Sequence, residues 1–345
     1  MKLPSGKVPI EVLTGIVFQY LGAKREEVAL GPSAGIDGAV IDLGDNSIIV
    51  SMDPITGAID RIGWLAVHVN ANDIATFGVK PAFFSSCILL PEGVDENTLQ
   101  VICSQMNDAA LTLEVSIIGG HCEVTPGLNS PILIGCMMGF TMKGNYVTAA
   151  GAKPGDKVIL TKSAGIEGTA ILATDRFNDL KRLGVSEELL NSAQGFFKKI
   201  SVVEEGVTAF QTGGVHAMHD PTEGGVIGGL HEMADASKLG FIIFEDKIPV
   251  AEETRHICDV LGINPLMLIS SGAMLIAADS CHAEEIIKKL RERSIPSSII
   301  GEFVEPFEKR IIVRRDGRAE RILRPKCDHL WLALSKLDGK PKIHD

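Results

Sequence analysis

The stretch GAKPGDKVIL, residues 151–160, constrains the fold more than any other. Its glycines and proline interrupt regular structure, and KVIL then opens a fresh strand, so a domain boundary is expected here. A chain of 345 residues is also too long for one comfortable hydrophobic core. Two domains follow, residues 1–150 and 151–335, with a solvated tail over 336–345.

Both halves mix strand and helix patterns. AVIDLGDNSIIVSMD (39–53) reads as a hairpin, two apolar runs around a Gly-Asp-Asn turn. RIGWLAVHVNANDIATFG (61–78) reads as a helix ended by Gly78. FFSSCILLP is a strand, ENTLQVICSQMNDAALTL a helix, SIIGG a buried strand and ILIGCMMGF another strand. In the second half, helices are expected near 186–212, 224–236, 251–261 and 282–293, with strands at FIIF, AMLIAA and IIVRR.

Charge and composition narrow the function classes. A net charge of −11 argues against a nucleic-acid partner, which would call for a basic face. It leaves room for an anionic small ligand, because a local site can oppose the global sign. The longest nearly apolar run, PILIGCMMGF, is about half of a membrane span, and MKLPSGKVPI has no signal-type apolar stretch. No membrane association and a cytoplasmic location are expected. The seven cysteines form no CxxC pair and read as reduced, mostly buried thiols.

The candidate chemistry lies in scattered acids. Asp37 sits in GIDGAV before a strand, Asp53 ends the next strand in SMDPITG, and Asn72 and Asp73 lie inside an otherwise apolar helix. Asn and Asp are weak helix formers there, so the pair needs a reason. His68 is four residues before Asn72 and shares its face. Acids in turns are commonplace and Asn72-Asp73 facing solvent is the plain alternative. Taken together, several acids without a Cys/His set fit Mg²⁺ better than Zn²⁺. HDPTEGGVIGG (219–229) offers a turn at Asp220, a capping Thr222, and Gly224-Gly225 at a helix start; TKSAGIEG repeats the pattern with Gly165 and Gly168. Helix N-termini of this kind can hold anions, or can simply be places where glycine packs closely. GGHCEVTPG (119–127) adds Gly119, Gly120, His121, Cys122 and Glu123.

The order of these motifs resembles the PurM / AIR-synthase-related superfamily, nearest to its HypE-like members. GIDGAVID, SMDP, LAVHVNANDIATFGVKP, IIGGHCEVTPG, PGDKVILTK, AMHDPTEGG and NPLMLISSGAMLIA occur in that order, over about residues 5–331. The resemblance implies an α+β, PurM-like two-domain fold. Its N-terminal α/β domain binds ATP and forms a β-barrel across a homodimer; its C-terminal α/β sandwich closes the cleft. It implies Mg-ATP used to phosphorylate a substrate oxygen, with a small-molecule kinase of the thiamine-monophosphate-kinase type or a maturation partner without turnover of its own as rivals. It assigns Asp37, Asp53 and Asp73 to metal, Asn72 beside them, and Lys7 loosely to a Gly-rich segment over the phosphates. His68 and His121 are candidate proton carriers. Asp220, Thr222, Gly224 and Gly225, with Gly119 and Gly120, are candidates for holding nucleotide or substrate.

Three departures stand out. Where relatives have an acid after GG, this chain has His121; Glu123 could supply the missing oxygen, His121 could bond a phosphate, or the site could hold fewer metals. Cys122 is expected to be a small buried residue. The HypE-type C-terminal cysteine is not matched, since Cys327 is followed by 18 residues, and the HypE Glu-Gly of the second domain is Ser271-Gly272. The expectation is an ATP-dependent enzyme other than a carbamoyl-to-cyanide dehydratase.

Overall fold

The computed structural model describes residues 3, 6–33, 35–56 and 60–339. The first half holds a short helix α1 (Ile10–Gly15) and then β1 (Val28–Leu30), β2 (Ala39–Leu43), β3 (Asn46–Ile55), α2 (Ile62–Thr76), β4 (Pro81–Leu90), α3 (Glu96–Leu113), β5 (Ser116–Val124) and β6 (Ile132–Met142). The six strands make one sheet in the order β1-β2-β3-β6-β4-β5. The second half holds β7 (Lys157–Thr161), α4 (Ile166–Asp175), α5 (Phe177–Arg182), α6 (Glu187–Gln194), α7 (Val203–Thr212), β8 (Val215–His219), α8 (Gly225–Ser237) and β9 (Gly240–Phe244). It continues with α9 (Glu252–Leu261), β10 (Leu275–Ala278), α10 (Ala283–Glu292), β11 (Ser297–Val304), β12 (Arg310–Val313), β13 (Ala319–Arg321) and α11 (His329–Leu337). Its seven strands run β13-β12-β9-β11-β7-β10-β8.

The strand period decides what faces what. In β3, Ser47, Ile49, Ser51 and Ile55 are buried and Asp53 shares their face, while Met52 points the other way and is exposed. The buried face receives α2, whose side chains are buried from Leu65 to Thr76 on every side. A helix apolar all round must be covered all round, and α2 lies between the sheet, α3 and α7. Glycines permit the approach: a Cβ on Gly63 would lie 2.3 Å from Ile102 O, and one on Gly206 of α7 would lie 2.2 Å from Ala75 O. The core therefore runs unbroken from the first domain into the second.

The sheet's other face has no such cover among the described residues. Met52, Phe83, Phe140 and Met142 are exposed there, and Phe83 packs edge-on against Phe140 at 5.5 Å.

Several expectations change. SIIGG is not a buried strand: β5 continues to Val124, is the edge of the sheet, and is exposed throughout. Cys122 is accordingly exposed, and of the seven thiols only Cys258 is buried. Of the segment 336–345 expected as a tail, Lys336 and Leu337 close α11. The segment's last residues, 340–345, lie outside the described residues. Among the described residues no helix is long and apolar enough to cross a membrane.

Candidate active site

Asp53 is held by a residue that the sequence did not single out. Asn70, on α2, accepts the Asp53 N–H at 2.8 Å and donates to the Asp53 carbonyl at 3.2 Å. Asn70 can reach β3 because Gly135 lies opposite Asp53; a Cβ there would stand 2.4 Å from the Asn70 amide. One turn later on α2, the Asp73 carboxylate pairs with the Ser51 hydroxyl, which also donates to the Asp37 carbonyl at 2.7 Å. Three acids from three elements are thus tied to one another through Ser51 and Asn70.

The second domain brings the rest. β8 ends in His219, and Asp220 follows; Asp37, His219 and Asp220 present ligand atoms within 4.8 Å of one another. His219 is clamped: Nδ1 lies 2.6 Å from Asp37 and Nε2 lies 2.8 Å from Glu232 of α8. Burial alone would lower its affinity for a proton, but the two carboxylates outweigh it and keep the imidazole charged well above its usual range. Both Asp220 carboxylate oxygens are fully buried with no hydrogen-bond partner among the described residues.

The acids oppose each other's ionisation. Burial, with Asp37 beside it, pushes the Asp53 carboxyl up to about 6. Burial and then Asp37 push Asp220 up to about 8, partly offset by His219. Asp73 is driven well above the usual carboxylate range by burial and by Asp53, Asp220 and Asp37. Carboxylates crowded in this way are either kept neutral by their protons or serve as hard oxygen donors to a cation.

Lys7 belongs to this site. Its backbone N–H donates to Glu223 Oε2 at 2.9 Å and its Nζ to Glu232 at 3.3 Å. Glu232, against a burial penalty, raises the proton affinity of Lys7, and Lys7 in turn holds Glu232 well below the usual carboxylate range. A cavity of about 890 Å³ opens beside these groups, between the segment around Lys7, the first turns of α8, and Arg324 to Asp328; Cys327 lines it.

Other candidates are placed differently. Asn72 is fully buried and spans the domains, donating to Ile200 O at 2.9 Å and accepting from Val202 N–H at 2.9 Å. Trp64, two turns earlier on the same face, donates to Phe197 O at 2.9 Å. His68 lies between them, buried, with neither ring nitrogen partnered, and burial followed by Lys162 depresses its pKa to about 4. It is a neutral imidazole at physiological pH.

The helix N-termini are not open anion sites. The Gly224 N–H at the start of α8 donates to Asp328 at 2.7 Å, so the chain supplies its own anion. Thr222 provides no side-chain cap. Gly225 packs where a Cβ would meet Leu268 O at 2.5 Å. The first turn of α4 is likewise closed: Gly165 N–H donates to Ser270 Oγ at 2.7 Å and Gly168 N–H to Ile269 O at 3.1 Å. Gly165 and Gly168 serve packing there.

GGHCEVTPG lies elsewhere. Ile118 is an extra residue against β4, and Gly119 and Gly120 carry φ of +146° and +150° through that bulge. A Cβ on Gly120 would stand 1.9 Å from Ser86 O. His121 pairs with Glu123 at 3.1 Å, and Glu123 accepts from Thr125 at 2.8 Å, all on the exposed edge. Asp53 aligns with Gly135, Ser86 and Gly120 across the sheet, three strand spacings or about 14 Å away. Within one chain, His121 and Glu123 are not brought to the acid cluster.

Comparison with known proteins agrees with this architecture. Sequence models of the AIR synthase related protein match residues 35–141 with its N-terminal domain and 153–314 with its C-terminal domain. A protein of Methanocaldococcus jannaschii, provisionally described as a hydrogenase expression/formation protein, is 32% identical over 323 residues, covering 91% of this chain and 92% of its own. The carbamoyl dehydratase HypE of Bradyrhizobium diazoefficiens is 27% identical over 309 residues, covering 87% and 85%. The crystal structure of hydrogenase maturation protein HypE in complex with ATP superposes with a TM-score of 0.70 at 22% identity, over 94% of this chain and 96% of that one. With both domains matched in order, in a two-domain PurM-like fold, the chain belongs to the AIR synthase-related family.

Proposed function

We propose that this chain is an ATP-dependent enzyme that activates a substrate oxygen by phosphoryl transfer, with Mg²⁺ held by Asp37, Asp53, Asp73 and Asp220. The observation that carries this reading is the buried Asp220 carboxylate, unpartnered on both oxygens among three other acids from the opposite domain. Its donor chemistry, all oxygen with one charged histidine locked away, suits Mg²⁺ rather than zinc. When bound, Mg²⁺ neutralises polyphosphate charge. The chain's own residues prepare for this. Ser51 and Asn70 fix the acids of the first domain, and the His219 imidazolium orients Asp37. Lys7 and Arg324 place positive charge at the cavity mouth. Rate acceleration in such a site comes from alignment and charge neutralisation.

ATP is named in a HypE structure of the same fold, and dehydration of a carbamoyl group in the name of a relative. ATP use is carried over here; the dehydration is not, because Ser271-Gly272 stands at the HypE Glu-Gly position. A homodimer through the open sheet face is part of the reading, since that face exposes Met52, Phe83, Phe140 and Met142. Cytoplasmic location is proposed with it.

The test is calorimetric titration of ATP with and without Mg²⁺ into the wild type and Asp53→Asn. Binding that needs Mg²⁺ in the wild type, and a loss of 100-fold or more in the folded variant, is expected. Equal affinity in the two would remove the metal site. Product analysis then separates a retained phosphate, as in a kinase, from free phosphate with a new bond.

A further inference from the structure

Three loops meet at one end of the second sheet. β10 is flanked by β7 and β8, and Leu275 at its start lies opposite Leu160 on one side and His219 on the other. The loops at this end carry Lys162 and Glu167, then Asp220 and Glu223, then Ser271. Ser270 N–H donates to Pro221 O at 3.0 Å, which sets Ser271 directly beside the Asp220 loop. Gly165 N–H on Ser270 Oγ sets the Glu167 loop against the same segment.

Two side chains here play no part in the acid cluster. Glu167, at the second position of α4, is 5% exposed, and its Oε2 has no partner. Ser271 is fully buried, and its Oγ has no partner either. Two polar groups buried side by side with no well-formed hydrogen bond are costly, and a bound hydroxyl between them would complete both. Lys162 cannot: its Nζ is held by Glu205 at 2.6 Å, Ser201 O at 2.6 Å and Lys199 O at 2.9 Å. Burial pushes the Glu167 carboxyl up to about 7; Ser271 lies near enough to favour the ionised form, and Glu223 and Asp53 oppose it. Glu167 therefore feels the acid cluster from across the cleft.

We propose that Glu167 and Ser271 form the acceptor side of the site, where Glu167 takes the proton of a neutral hydroxyl as that oxygen attacks the γ-phosphorus of ATP. The O–H bond breaks toward Glu167 Oε2 and the new O–P bond forms. The bond between the γ-phosphorus and the β–γ bridging oxygen breaks, and ADP leaves with the electron pair. Ser271 holds the same hydroxyl by a hydrogen bond. The acceptor class follows from the charge: an alcohol or water fits, whereas a carboxylate or phosphate would face Glu167, Glu223 and Asp53 with like charge. This inference rests on the ATP-dependent reading above.

Water is the acceptor probe. Single-turnover cleavage of bound Mg-ATP is followed from pH 5.5 to 8.5 in the full-length wild type, Glu167→Gln and Ser271→Ala, with calorimetric affinity and melting temperature measured on each. The wild-type rate is expected to rise with pH and level off above about 7. Glu167→Gln should lower it about 100-fold and remove the inflexion, with Mg-ATP affinity within about twofold and no loss of melting temperature. Ser271→Ala should lower it less and move the inflexion upward, and it carries the test if Glu167→Gln does not fold. A Glu167→Gln chain with the wild-type rate and inflexion overturns the assignment. So does a wild type that binds Mg-ATP and never cleaves it. Failure of the wild type to bind Mg-ATP is a separate result; it removes the functional reading and this inference with it.

Discussion

The seam between the domains and the edge of the first sheet offer similar residue types in opposite conditions. At the seam, Asp53, Asp73 and Asp220 crowd one another, and both oxygens of the buried Asp220 lack a hydrogen-bond partner among the described residues. At the edge, His121 and Glu123 are exposed and already satisfied by each other and by Thr125. The edge carries the stretch of sequence that looks most like chemistry, but the seam carries the unmet demand. Solvent can complete any group on β5; no side chain among the described residues completes Asp220.

Acidity gives the largest way to break that contrast. Asp53 at about 6 and Asp220 at about 8 lie above the ordinary 3.8. Between about pH 4 and pH 8 the folded chain then holds more protons than the unfolded one, so metal-free stability falls as pH rises. His219 acts in the same direction above its ordinary 6.5, because its folded-state value is raised. Each retained proton changes stability by ~1.4 kcal/mol per pH unit. Metal-free protein should therefore lose a few kcal/mol between pH 5 and 9 by denaturant unfolding, and millimolar Mg²⁺ should restore much of it at pH 9 and little at pH 5. A flat metal-free profile would mean that the seam is not crowded.

How much of this was legible in sequence depends on distance along the chain. Asp37, Asp53 and Asp73 could be read because a turn or an apolar helix made each one odd locally. Asn70 gives the same signal, a polar residue in an apolar helix, but only its bond to Asp53 sets it apart from Asn72 and Asp73. His219 could not be read, because its partner Asp37 is 182 residues away and only the packing of the two domains unites them; Glu232 gains its role only through His219. Glu167 sat inside a motif valued for its glycines. Gly224 gave no sign in sequence of Asp328, 104 residues later, whose carboxylate takes its N–H. The exposure of Cys122 has a topological reason: periodicity marks β5 as a strand but does not say that it lies at an edge.

The open face sharpens the comparison from the other side. Phe140 is 48% exposed in the single chain and packs on Phe83. If this face is the dimer contact, Phe140→Asp places a charge in a desolvated patch and should cost about 2 kcal/mol or more of association. Sedimentation should then show monomer at concentrations where the wild type is dimeric, with the melting curve of the monomer little changed. A variant that stays dimeric would assign the contact to another surface.

The smallest effect tests the edge itself. The His121–Glu123 pair is 67% and 49% exposed on its two side chains, and pairs of that kind contribute little. His121→Ala should therefore change unfolding free energy by less than about 0.5 kcal/mol. Mg-ATP affinity should move by no more than about twofold, since about 14 Å of sheet separates Gly120 from Asp53. A tenfold loss of affinity would contradict that distance within one chain. It could arise only if β5 of a second copy enters the cleft, and a mixed dimer of His121→Ala with Asp53→Asn would then regain one working site. The edge would in that case be a functional half that the single chain leaves unmatched, and its exposure would be the mark of the missing partner.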